Sequence, residues 1–204
     1  MNIIKKMPYP IAGLILGIAA LGNLLQSYSE GLRLGLGAIS AILFIMLLIK
    51  MITGFEGFKE FMSNPLNASV FATYPMSLML LAGYAKPFIG GASKILWYIG
   101  VISQIAIIIY VTVKFLTKKD ISMIFASTYI PFAGMGVASI TAPAFDAVAI
   151  GRIGFWFGLI CYLILTPFIF KRIFSLKTIP EPAKPTNGII CAPLSLLLAG
   201  YNSS

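Results

Sequence analysis

The chain has 204 residues, of which 59% are hydrophobic and only 10% charged, and its mean hydropathy is +0.95. A soluble domain of this length carries about a quarter charged residues, so water is not its main solvent. The formal charge of +9 would raise nucleic acid as a partner in a soluble protein; here the cations sort by membrane side instead, and no nucleic acid is expected.

Apolar stretches long enough to cross a bilayer fall at 10–28, 32–52, 68–84, 95–113, 123–142, 153–170 and 187–202. The expected fold is an all-α polytopic membrane protein, one integral domain over 1–204 with seven transmembrane helices. The first span follows Lys5 and Lys6, which makes a signal peptide worth weighing. Pro8 and Pro10 at its start, and its length to Tyr28, favour a retained helix. The second and fourth spans carry bulky aliphatic runs, Ile39 to Leu48 and Ile105 to Ile109, that suit lipid. Gly151, Gly154 and Gly158 form a small-residue stripe on the sixth, as close helix packing requires. Between the sixth and seventh spans, Pro180, Pro182 and Pro185 make the Ser175–Asn187 segment an extended, semi-rigid linker. Tyr28, Trp97, Tyr98, Tyr110 and Trp156 lie near predicted helix ends, where headgroup-level aromatic belts account for them. Cys161 and Cys191 read as small apolar residues within helices.

The odd-numbered spans share a pattern. Each opens on a proline, Pro10, Pro75, Pro131 or Pro193, at spacings of 65, 56 and 62 residues. The residue two after the proline is small in every copy (Ala12, Ser77, Ala133, Ser195), and so is the residue seven after it (Gly17, Ala82, Ala138, Gly200). A fixed period of this length marks a repeated supersecondary unit, here a membrane hairpin whose return helix is the even span. Proline removes a backbone donor and bends a helix, and freed carbonyls at membrane depth must face protein or a wet cavity. The expectation is therefore an inner ring of odd helices and an outer ring of even ones. Pro75 and Pro131 sit deep enough to kink; Pro10 and Pro193 fit a kink or a simple helix start equally well.

Eleven of the fifteen cations fall on the N-terminal side: Lys5, Lys6, Lys50, Lys59, Lys114, Lys118, Lys119, Lys171, Arg172, Lys177 and Lys184. Arg33, Lys86, Lys94 and Arg152 fall on the other. The excess marks the cytoplasmic side, so the N-terminus is expected inside the plasma membrane. Topology accounts for most of this charge; the functional alternative is that some of these cations attract anions toward a pore mouth.

Histidine is absent, which removes imidazole metal sites and Ser-His-Asp chemistry. The acidic residues Glu30, Glu56, Glu60, Asp120, Asp146 and Glu181 all lie near predicted helix ends or in loops. A proton- or sodium-coupled carrier keeps an ionisable group inside the membrane, and a small-residue pathway without one suits a channel better. No enzymatic activity, metal or cofactor is expected.

Pro8-Tyr9-Pro10 with Gly13, Gly17 and Ala19-Ala20-Leu21-Gly22 resembles the first helix of the bacterial tellurite-resistance/dicarboxylate transporter family. That family includes the plant guard-cell slow anion channels and the fungal malic acid permeases. Tyr129 to Ala133 resembles its fifth helix and Thr186 to Pro193 its seventh. The resemblance implies five helical hairpins about a pore lined by proline-kinked odd helices, trimeric assembly, and conduction of inorganic anions or dicarboxylates such as malate. Four hairpins, the last incomplete, are an expected C-terminal truncation, and the phenylalanine plug of the family's ninth helix has no counterpart here. The residues expected to line the pathway are Pro10, Gly13, Gly17, Pro75, Ser77, Pro131, Gly134, Ala138, Pro193 and Ser195, acting by shape; close helix packing is the other use of the same small residues. The rival functions are a proton-coupled C4-dicarboxylate or oxyanion exporter and a non-transporting membrane remnant or subunit.

Overall fold

The computed structural model describes residues 4, 6–118, 120–175 and 188–203. The expected linker beyond Ser175, with Lys177, Glu181 and Lys184, lies outside the described residues, as do Lys5 and Lys119. The described residues contain helices and no strand: α1 (Ile11–Leu24), α2 (Glu30–Thr53), α3 (Phe55–Phe61), α4 (Pro65–Ile89, interrupted at Ala72), α5 (Ala92–Val111), α6 (Tyr129–Ala133), α7 (Met135–Thr141), α8 (Val148–Ser175) and α9 (Ala192–Ser203). Among them α2, α4, α5 with its π-helical extension to Leu116, and α8 are long and apolar enough to cross a membrane. The protein is an all-α polytopic membrane protein.

Local chemistry sets the boundaries. Ser29 is extended and its hydroxyl accepts from the Leu32 N–H at 3.4 Å, opening α2. Asn64 accepts from the Leu66 and Asn67 N–H groups at 2.9 and 3.4 Å, and Pro65 follows at the first helical position, where its missing donor costs nothing. Gly90, at φ +55, reverses the chain between α4 and α5 in a conformation side chains resist.

The fifth span is not one helix. Its residues form short 3-10 turns at Ile121–Met123 and Ala126–Thr128, then α6, a break at Gly134, α7, and a final 3-10 turn over Ala142–Phe145. Pro131 has no N–H for the Ser127 carbonyl and its ring crowds that oxygen, so the preceding turn tightens. In the same way Pro75 has no donor for Phe71, and α4 is interrupted at Ala72. Pro10 and Pro193 instead stand at helix starts. The even-numbered sixth span, α8, carries Pro167 within it.

Successive helices pair as hairpins, α1 with α2, α4 with α5, and α7 with α8; α4 also packs on α1 and α7, and α9 on α7. Of its apolar window α4 buries 78%, against 22% for α2 and 33% for each of α5 and α8. The third span is therefore sandwiched, while the even spans expose faces such as Ile42 and Ile45, Ile102 and Ile109, and Ile160 and Leu163.

Small residues and buried hydrogen bonds fasten these contacts. The Tyr84 hydroxyl donates to the Ala19 carbonyl at 2.6 Å, tying α4 to α1, and the Ser40 hydroxyl donates to Ile15 O at 2.8 Å, tying α2 to α1. A Cβ on Gly154 would meet the Met135 carbonyl at 3.0 Å, and one on Gly158 would meet Leu197 Cδ2 at 3.1 Å, so the α8 glycines let α7 and α9 approach. Trp97 does not belong to an interfacial belt. It is fully buried and its indole N–H donates to Thr141 Oγ1 at 2.7 Å, because a ring this large fills the α5–α7 gap and finds its polar partner there. Tyr28 and Trp156 are exposed.

Candidate permeation pathway

The odd spans, α1, α4, α6–α7 and α9, are neighbours in that order and form an arc. The even spans lie outside it, α2 against α1 and α4, α5 against α4, α6 and α7, α8 against α6, α7 and α9. At the two ends of the arc, α1 and α9 each turn one unburied face away from their neighbours. On α1 the buried residues are Ala12, Ile15, Ala19 and Gly22, and the opposite face holds Pro10, Gly13, Gly17 and Leu24. On α9 Pro193, Leu197 and Gly200 are buried, while Ser195 and Leu198 are exposed.

The ten residues expected on the pathway fall into two groups. Gly13 and Gly17 have nothing within 4 Å of where a Cβ would stand, and Pro10 and Ser195 are exposed. Pro75, Ser77, Pro131, Gly134, Ala138 and Pro193 are buried. Ser77 donates to the Tyr74 carbonyl at 2.6 Å, within its own helix. Gly134 lies against Gln104 of α5, Met76 and the Ile130 carbonyl, so its lack of a side chain serves a helix contact. The structure thus brings Gly13 and Gly17 to one open surface, and places the buried six where they set backbone path and packing.

Three residues escape the proline-based pattern. Gly83 of α4 also has nothing within 4 Å of a Cβ position; it sits eight residues after Pro75, one step off the repeat. Gln104 is fully buried, and its amide nitrogen donates to the Pro131 carbonyl at 2.7 Å, which satisfies an oxygen at the proline break. A glutamine within an otherwise aliphatic span is the signal that could have found it. Arg172 is only 5% exposed and its guanidinium lies 4.1 Å from the Phe125 ring centroid. It belongs to the lysine-rich end but is buried against the segment that leads into α6, rather than standing in solvent as a topology marker.

Carboxylates stay off this surface. Glu30, Glu56, Glu60, Asp120 and Asp146, the acids among the described residues, are all exposed, and Glu30 pairs with Arg33 at 2.6 Å. Hydrogen bonds from the Ser122 side chain and backbone N–H hold the Asp120 carboxyl below its ordinary range, so it is ionised at neutral pH. A family model described as a voltage-dependent anion channel matches residues 6–204. Anion transport is what that description assigns to the family. No curated protein matches the chain.

Proposed function

Because the chain belongs to the voltage-dependent anion channel family, we propose that it carries out passive, channel-like permeation of small inorganic or carboxylate anions along the odd-span arc. One observation carries this reading: the arc presents glycine faces at Gly13, Gly17 and Gly83 with no acidic residue on them. Small residues widen the path there. Buried Pro75, Ser77, Pro131, Gly134, Ala138 and Pro193 shape its walls from behind, while Pro10 and Ser195 flank it. Backbone dipoles and the cations of the lysine-rich end then favour anions over cations. The lysine-rich end is the cytoplasmic one, the membrane is the plasma membrane, and the assembly is a homotrimer.

The test is flux of chloride and of malate in proteoliposomes, driven by a potassium-valinomycin potential with and without a pH gradient. Flux that follows the potential and ignores the pH gradient is the expected result. Flux that needs the gradient would replace this reading with the proton-coupled exporter, and no flux of either anion would replace it with a non-transporting subunit.

A further inference from the structure

On the outer face of the bundle, α2 and α5 stand apart and leave a groove floored by α4. It consists of two adjoining hollows of about 640 and 660 Å3 that share Phe44, Leu78 and Leu96. The half nearer the lysine-rich end is walled by apolar side chains such as Leu48, Met51, Ile99 and Ile107, and closed by Tyr110. Its mouth is of different chemistry. The Tyr110 hydroxyl donates to the Met62 carbonyl at 2.8 Å and accepts from Lys114 Nζ at 2.6 Å; that ammonium also reaches Ser63 Oγ at 3.4 Å.

An ammonium has three donors; besides the two hydrogen bonds, this one stands 4.9 and 5.6 Å from the Tyr110 and Phe115 ring centroids. Lys114 is half-buried, and among the described residues no carboxylate pairs with it. Glu60 lines a neighbouring hollow with Ser63, and exposed Lys59 lies one position from it. An open apolar groove with a carboxylate-free cation at one end matches an amphiphile with a negative head. A helix from a second copy would fill the groove and leave the charge without a counterpart.

We propose that this half of the groove binds an anionic phospholipid, one acyl chain lying between α2 and α5 over α4, with its phosphate on Lys114 and, beside it, Ser63. The site lies outside the permeation arc, so it holds whether or not the arc conducts.

Native mass spectrometry of the intact protein in detergent, titrated with phosphatidylglycerol or phosphatidylcholine, tests the assignment. Retention of phosphatidylglycerol is expected to exceed that of phosphatidylcholine by about fivefold, the worth of one lysine at an anionic headgroup. Lys114→Gln should abolish the preference, Lys114→Arg should keep it, and Ala106→Phe, which fills the groove, should reduce retention of both lipids. Equal retention by the native protein, a preference that survives Lys114→Gln, or lipid binding indifferent to Ala106→Phe would each overturn the proposal.

Discussion

Replacing Gly17 by phenylalanine is expected to bring anion flux to background while leaving the yield and oligomeric state of the protein unchanged. The two halves of that outcome have separate causes. Nothing lies within 4 Å of a Cβ at Gly17, so a side chain enters open space and displaces no neighbour. Alanine there should even favour the helix, by about 1 kcal/mol over glycine. The flux half depends on what the open space is. If it is the anion path, a large apolar ring narrows it and dries it, and a hydrophobic constriction blocks ions by excluding their water. If the Gly13–Gly17 face meets lipid, phenylalanine is as welcome as the Leu24 that shares the face, and flux stays at the native level. Gly17→Ala is the control, expected to conduct. Reconstituted chloride flux, read beside size-exclusion elution, separates the cases. Native flux in Gly17→Phe would remove α1 from the pathway.

That experiment works only because the glycines of this chain do different jobs, and the sequence does not distinguish them. Gly13 and Gly134 each stand three residues after their proline, yet the first faces open space and the second is pressed against Gln104 and Met76. Periodicity locates a small residue on a helix face without saying which neighbour that face meets. What sequence does expose is the membrane-spanning all-α class and the family, through an apolar composition and the ordered Pro8-Tyr9-Pro10 and Tyr129–Ala133 motifs. It also exposes the proline breaks, since a missing N–H at residue 75 or 131 has a local consequence. Longer-range facts stay hidden. Trp97 reads as an interfacial residue because it is near a helix start, but its partner Thr141 is 44 positions away. Arg172 counts as one more basic loop marker until the fold sets Phe125 beneath it. The short helix α3 leaves no sequence signature, because seven residues, with Glu56, Lys59 and Glu60 among three phenylalanines, are too few for a clear period. Its Phe58 and Phe61 pack against Tyr9 at centroid distances of 5.8 and 4.9 Å.

Gly37→Val should cost the fold about 3 kcal/mol, the upper range for overpacking a filled interior, and should appear as loss of folded protein rather than loss of flux per molecule. A Cβ at position 37 would stand 2.5 Å from Tyr84 Cδ1 and 3.1 Å from Tyr84 Cγ. Those are atoms at the base of the ring, which no tip rotation clears. The ring cannot simply retreat, because its hydroxyl is held by the Ala19 carbonyl at 2.6 Å and the Arg33 guanidinium lies 4.8 Å from its centroid. Gly22 on α1 lies against the hydroxyl of the same tyrosine, so two helices close on one side chain and a third carries it. Relief by moving α2 outward would break the Ser40 to Ile15 hydrogen bond as well. Tyr84→Phe, by contrast, removes only the hydroxyl and should cost about 0.6 kcal/mol, the average for an interhelical hydrogen bond in a membrane. A double-mutant cycle resolves the cause. Gly37→Val in a Tyr84→Ala background should cost far less than alone, because the ring that collides is gone. Equal costs in both backgrounds, measured by thermal retention of the detergent-extracted protein, would mean that valine at 37 disrupts α2 itself and that Tyr84 is not the pin joining the first two hairpins.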